Sequence, residues 1–234
     1  MAVILARGGS RAIHRKNLRP FAGYPLLSWV LAAVRRAETI AWTVTVTDDR
    51  EIAALTRDSG VEALEEPVDL AGDTIGDLPV LRWALRTLRV STGPVVHLRA
   101  TSPFVQPEEI DRAVRYLGEH PSLTSLRSVR PAREHPRKMY REAPPLGGAP
   151  TLTPYAGRDH AANSPRQTLE PAWAAVGFVD VLRAEVVLGP DGPEGAVIGR
   201  WQAPADGRAV DLDTEAHWQE AERLATANGW RPAG

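Results

Sequence analysis

Apolar positions along the chain follow two rhythms. Ala2–Ala6 is a short unbroken apolar run, the mark of a buried strand. From Pro25 onward, Leu26, Leu27, Val30, Leu31 and Val34 recur at helical spacing and predict a helix ending near Ala37. Residues 42–47, WTVTVT, alternate and are β-branched, so they predict a strand running into Asp48-Asp49. A helix over about 49–59 stops at Gly60, and Val61–Leu64 fits a short strand. Leu78, Leu81, Leu85 and Leu88 form a helical stripe over 78–90. Residues 94–99, PVVHLR, predict the next strand, Pro107 opens a helix through about Glu119, and Leu123–Val129 fits another strand. Apolar strands are expected at about 172–181 and 196–203, with a last helix from about 214 to 227.

Strands alternating with helices of this length predict an α/β, Rossmann-like fold: a mostly parallel sheet with helices on both faces. Tryptophans 29, 83 and 218 fall on the helices and read as core. The rhythm fails at 130–171, which holds eight of the 20 prolines together with Gly147, Gly148 and Gly157. A stretch of that length without periodicity suits a lid, a binding insertion or an arm exchanged between subunits. The expectation is one domain over 1–234 that carries 130–171 as an irregular insertion.

Composition narrows the function. Apolar residues are 43% and charged residues 24% of the 234, ordinary values for a globular protein. The net charge of −1 argues against a general polyanion binder, and no nucleic-acid partner is expected. Residues 1–37 nevertheless carry seven Lys/Arg and no Asp/Glu, which predicts a local anion site. With no cysteine, disulfides, zinc–thiolate sites and cysteine nucleophiles are excluded. The six histidines lack metal-ligand spacing. No apolar run reaches the ~18 residues of a membrane span, and MAVIL lacks the features of a secretory leader. A cytoplasmic protein without a membrane partner is the expectation.

The chemistry concentrates in ARGGSRAIHRKN, residues 6–17, directly after the first strand. In a parallel sheet, ligands bind beyond the carboxyl ends of the strands, where this loop must lie. Gly8 and Gly9 let backbone N–H groups approach phosphate oxygens. Arg7, Arg11, Arg15 and Lys16 offer positive charge to a triphosphate and to a departing pyrophosphate. The spacing is that of neither a Walker loop nor G-x-G-x-x-G. The alternative is a flexible loop with solvated arginines. A second centre is VDLDTE at 210–215: Asp211 and Asp213 alternate along an extended end, so both carboxylates can face one side and hold Mg²⁺. Asp213 can equally cap the following helix.

The 6–17 segment resembles the opening signature of the acylneuraminate cytidylyltransferase family, the CMP-sialic acid synthetase-like enzymes, A-R-G-G-S-K-x-x-x-x-K-N. Ala6, Arg7, Gly8, Gly9, Ser10, Lys16 and Asn17 match it, and Arg11 replaces a lysine. Further short matches follow in order: Thr47-Asp48, Leu70-Ala71-Gly72-Asp73, Ala100-Thr101-Ser102-Pro103, His135-Pro136 with Lys138, Arg166-Gln167, and the Asp211/Asp213 pair. The resemblance implies a nucleotide-diphospho-sugar transferase-like fold and a Mg²⁺-dependent transfer of CMP from CTP to a small acidic acceptor, with pyrophosphate released. It implies that Ala6, Arg7, Gly8, Gly9, Ser10, Lys16, Asn17 and Asp73 bind the nucleotide, with Arg7, Lys16 and Asp211 catalytic and Asp211 and Asp213 on the metal. Arg99, Thr101, Ser102, His135, Lys138, Arg166 and Gln167 fall to the acceptor, and 130–171 to a homodimer contact.

Some of these positions have a plainer reading. Asp73 also fits a solvated acidic run with Glu62, Glu65, Glu66, Asp69 and Asp77, and His135 and Lys138 can simply face solvent. Asp48 can bind ligand or cap a helix. Arg166 is the better anion clamp, because its planar fork can grip a carboxylate or phosphonate at two points. The chain departs from the family where Arg99 replaces a glutamine, Glu66 an arginine and Val176 an asparagine, and where Thr168 follows Arg166-Gln167 in place of an acid. Phosphate and metal parts match, while base-reading and acceptor-reading parts differ. Two alternatives stay open: a same-fold transferase using another nucleotide or a sugar phosphate, and a nucleotide-binding protein without catalysis.

Overall fold

The computed structural model describes residues 1–10, 12–72, 74–157, 163–193 and 197–232. They form a larger unit, Met1–Ser128 with Val176–Gly234, and a smaller one, Val129–Ala175. In chain order the elements are β1 (Ala2–Leu5), β2 (Pro20–Phe21), β3 (Tyr24–Pro25), α1 (Leu26–Arg36), β4 (Thr43–Thr47), α2 (Arg50–Asp58) and β5 (Glu62–Glu65). Then come α3 (Asp77–Thr87), β6 (Pro94–Arg99), α4 (Pro107–Glu119), β7 (Ser125–Pro131), β8 (Tyr140–Leu146) and β9 (Ala149–Pro154). The chain ends with β10 (Trp173–Ala175), β11 (Asp180–Arg183), α5 (Ala184–Leu188), β12 (Ile198–Gln202) and α6 (Glu215–Ala227).

In the larger unit the strand order is β5-β4-β1-β6-β11-β7, and β12 also pairs with β7. Strands β5, β4, β1 and β6 are parallel, whereas β11 runs antiparallel to both β6 and β7. Successive side chains leave opposite faces of the sheet, and the core divides accordingly. Ala2, Ile4, Val96, Leu98 and Val181 pack with the buried faces of α1 and α4. Val3, Val44, Val46, Val95 and Leu182 pack with those of α3 and α5. Helices therefore cover both faces, as the alternating pattern predicts.

The chain order turns at β1, which has β4 on one side and β6 on the other. Such a reversal leaves a crevice beyond the carboxyl ends of the strands. A third apolar cluster lies beside the loop that follows β1. Phe21 packs edge-on against Trp29 at 5.5 Å and Trp218 at 5.2 Å between ring centroids, with Phe104 and Leu212 in the same cluster. Arg19 stacks over Trp218 and grips Glu215 with two hydrogen bonds of 2.7 Å each. These contacts dock α6, and with it the segment just before it, against the N-terminal loop.

Two expectations need correction. The apolar stretch 172–181 is two strands, β10 and β11, parted by a bend at Gly177, where φ is +59°. A side chain there would also meet Arg99 Nη1, 2.8 Å from the position of a Cβ. The proline-rich stretch is not wholly irregular, because β8 and β9 pair as an antiparallel hairpin within the smaller unit. The short β2–β3 ribbon and α5 carry too few residues to show a period. Among the described residues no helix is long and apolar enough to cross a membrane.

Candidate active site

A cavity of about 380 Å³ opens at the crevice, lined by Arg7, Gly9, Ser10, Lys16 and Asn17 from the loop after β1 and by Arg99 and Thr101 at the end of β6. Glu66, Leu70, Ile75, Gly76 and Asp77 complete another side. The fold shapes the glycine loop before any ligand is present. Gly8 N–H donates to Asp48 Oδ1 at 2.8 Å, and a Cβ on Gly8 would lie 2.7 Å from Asp49 Cβ. Asp49 is itself fixed as the cap of α2, accepting from Glu51 N–H and Ile52 N–H. Gly8 is thus required by packing, and its N–H is already used. Gly9 faces the cavity, and a Cβ added to it would meet nothing within 4 Å.

The cations also separate by role. Arg15, expected to face a triphosphate, instead pairs with Asp49 at 3.3 Å and Glu51 at 2.9 Å. Arg7 lines the cavity with Nη1 donating to Gly72 O at 2.8 Å. Asn17 is buried and donates to Arg7 O at 2.8 Å, which fixes the loop. Lys16 Nζ donates to Leu212 O at 2.8 Å and stands 3.6 Å from Asp213 Oδ1. The basic loop and the late aspartates therefore meet across 196 positions of sequence. Ala6 is buried at the end of β1 in the core. Arg11 and Asp73 lie outside the described residues.

Asp211 and Asp213 flank the Lys16 contact. Thr214, not Asp213, caps α6 by accepting from His217 N–H, so the plainer role for Asp213 falls away. Burial pushes the Asp211 carboxyl above the usual carboxylate range. A hydrogen bond with the Thr101 side chain and the charge of Lys16 oppose that rise, while Asp213 adds to it. Asp211 Oδ1 is buried with no hydrogen-bond partner. An orphaned buried carboxylate oxygen beside a second carboxylate suits a hard divalent ion, and Mg²⁺ needs only one or two carboxylates when phosphates and waters fill its shell. Among the described residues no group of three or more His, Cys, Asp or Glu is arranged to hold a metal ion by itself. The pair would thus hold the ion only together with a substrate's phosphates.

Of the acidic residues read as solvated, Glu66 is buried, while Asp77 is exposed but held in an ion pair. Glu66 is 7% exposed, and its Oε1 is buried without a partner. Burial, with the Asp48 charge adding, raises its pKa to about 7 against the pull of Arg7. Asp77 accepts from Arg99 at 2.7 Å. Burial disfavours the charge of Asp77, yet His97 and Arg99 hold its carboxyl below the usual range. Arg99 also pairs with buried Asp180 at 3.3 Å, so two carboxylates already balance the arginine that stands where the family has glutamine. His97 is fully buried and its pKa is lowered to about 4, chiefly by burial; it is neutral near pH 7, and its 3.6 Å contact with Asp77 is no ion pair. Ser102 is fully buried, donating to Gly177 O and Val210 O, and it braces the wall that Thr101 lines.

Residues 1–140 match the family model described as cytidylyltransferase. The chain belongs to the cytidylyltransferase family. It is 33% identical over 128 residues to N-acylneuraminate cytidylyltransferase B of Danio rerio, a match covering 55% of this chain and 30% of that protein. It is 26% identical over 232 residues to N-acylneuraminate cytidylyltransferase of Oncorhynchus mykiss, covering 98% of this chain and 51% of that one. The chain thus spans about half the length, or less, of these curated relatives. A solved structure titled CMP:2-keto-3-deoxy-manno-octonic acid synthetase complexed with CTP superposes with a TM-score of 0.68 at 17% identity. That overlap covers 97% of this chain and 98% of the other, and it shows the shared fold.

The cytidylyltransferase resemblance also reaches the smaller unit. There His135 accepts from Arg137 N–H at Nδ1 and meets Glu170 O at Nε2, 2.9 Å away. Arg166 donates to Ala132 O. Both line a cavity of about 220 Å³ within that unit. Lys138 ends the short turn Pro136–Lys138, and Gln167 sits in the turn Arg166–Thr168. The sequence marked Glu66 as a departure from the family and as part of an acidic run, but gave it no role in the site. Asp77, His97 and Asp180 gave no signal, because their elements are far apart in sequence.

The two glycines give a contrast. Gly8→Ala should lower stability by about 1–3 kcal/mol by forcing Asp49 and the α2 cap to move. Gly9→Ala should change it by less than about 0.5 kcal/mol. Urea denaturation of both variants, with equal losses, would contradict the separation of roles.

Proposed function

We propose that this protein transfers CMP from CTP to a small acidic acceptor, a keto-sugar acid of the nonulosonic type or a phosphonate, with Mg²⁺ bound and pyrophosphate released. The observation that carries the reading is the Lys16 bridge: one ammonium joins the loop expected to hold phosphates to the carboxylate pair expected to hold their metal. Family membership supports cytidylyl chemistry.

An acceptor oxygen attacks the α-phosphorus in line, and pyrophosphate departs with the electron pair of the broken bond. Gly9 N–H, Arg7 and Lys16 stabilise the triphosphate and the charge growing on the leaving group. Asp211 and Asp213 would hold Mg²⁺, which, when bound, neutralises phosphate charge. Thr101 sits on the acceptor side of the cavity. Arg99, with its charge balanced by Asp77 and Asp180, positions rather than attracts.

For the smaller unit we propose a homodimer contact in which His135, Lys138, Arg166 and Gln167 serve an acceptor. Leu146, Leu152 and Tyr155 support it, exposed at 79%, 66% and 66% in and beside the hairpin, since solvated apolar side chains grouped on one element mark an interaction surface.

Incubating the protein with CTP, Mg²⁺ and a panel of keto-sugar acids and phosphonates should release pyrophosphate with at least one acid. Lys16→Ala and Asp211→Asn should each cut that rate about a hundred- to a thousandfold with unchanged far-ultraviolet circular dichroism. Full activity in either folded variant, or tight CTP binding without turnover on any acid, would count against the assignment. Sedimentation should give a dimer that Leu146→Asp with Leu152→Asp converts to monomer; a monomeric parent protein at micromolar concentration would refute the contact.

A further inference from the structure

Among the described residues, Glu66 is the cavity-lining carboxyl that neither the phosphate and metal chemistry nor an ion pair gives a task. It follows β5, and its backbone N–H donates to Thr47 O at the end of β4. Strands β5 and β6 stand three strand spacings apart in the order β5-β4-β1-β6, roughly 14 Å at the usual separation. Lys16, Thr101 and the aspartate pair gather at the β1–β6 side, so Glu66 marks the opposite end of the same cavity. Glu66 brings no positive charge to a phosphate there, which leaves that end for the uncharged end of a nucleotide. The same cavity also has apolar wall residues: Leu5, Leu70, Ile75 and Val80. A planar heterocycle suits such walls, and a heterocycle needs a polar partner among them.

Resting on the CTP reading above, we propose that Glu66 reads the base, its neutral carboxyl donating a hydrogen bond to the ring nitrogen N3 of cytosine while its carbonyl oxygen accepts from the N4 amino group. The residue is 7% exposed, and Oε1 is buried with no partner among the described residues, so an incoming donor–acceptor edge satisfies a group that is otherwise orphaned. The terminal torsion of a glutamate is broad, and the group can turn either oxygen toward the ring. Two charged groups face it: Asp48 from the end of β4 and Arg7 from the loop after β1. Arg7 is anchored on Gly72 O. The raised pKa, about 7, makes the neutral acid the main form below neutrality. As pH rises through that value the proton is lost, and a carboxylate then opposes the N3 lone pair.

The test is equilibrium binding of CTP and of 3-deaza-CTP, in which C–H replaces N3, at pH 6 and pH 8.5. Triphosphate ionisation is common to both ligands and cancels in their ratio. At pH 6 the protein should bind CTP about tenfold more tightly than the analogue, the worth of one buried hydrogen bond. At pH 8.5 the ratio should fall toward one. Glu66→Gln, whose amide keeps a donor at every pH, should hold the ratio at both pH values. Glu66→Ala should abolish it. A ratio near one at pH 6, or a preference that survives Glu66→Ala, would overturn the proposal while CTP binding leaves the broader reading standing. Absence of CTP binding by the parent protein would sink both.

Discussion

One ammonium group decides whether this fold has a site at all. Lys16 is one of only two lysines among 28 basic residues, and its ammonium ties the N-terminal loop directly to the segment carrying Asp211 and Asp213. A compact ammonium suits the place better than a guanidinium, because it must reach a carbonyl and a carboxylate from one point. Leu212, between the two aspartates, is buried in the aromatic cluster and donates its N–H to Thr101 O. The aspartates are thus presented by a segment held on three sides: by Lys16, by the end of β6 and by the cluster of Phe21, Phe104 and Trp218.

Charge around the cavity follows from the same arrangement. Asp48 fixes Gly8, Asp49 caps α2 and takes Arg15, and Asp77 with Asp180 takes Arg99. Most charges near the crevice are spent on building it. In the proposed reading Arg7, Lys16 and Gly9 serve an anion, Asp211 Oδ1 a cation, and Glu66 a neutral ring. That division would keep the phosphate end and the base end of a nucleotide chemically distinct.

The sequence pattern announced most of the larger unit because its strands and helices are long enough to show a period. Residues 2–6, 42–47 and 94–99 read as strands, and the helices opened by Pro25 and Pro107 begin where their prolines suggest. The diglycine loop and the aspartate pair were visible from spacing and resemblance. The division of labour within them was not. Gly8 serves Asp49, and Arg15 serves α2, through contacts between segments roughly forty residues apart, which a local pattern cannot encode. Glu66 and Asp77 looked like part of a solvated acidic run because hydropathy reports a residue's type and not its neighbours. The hairpin at 140–154 stayed hidden for a different reason: its prolines and exposed apolar residues carry no alternation of inside and outside.

The central claim is that the diglycine loop, Lys16 and the two late aspartates hold one triphosphate and its metal. The most direct measurement is a crystal structure of the protein with CTP and Mn²⁺, located by the anomalous signal of manganese. The account requires the manganese peak beside Asp211 and Asp213 and the triphosphate against Gly9 and Lys16. A fully ordered CTP–manganese complex bound away from those residues would contradict it.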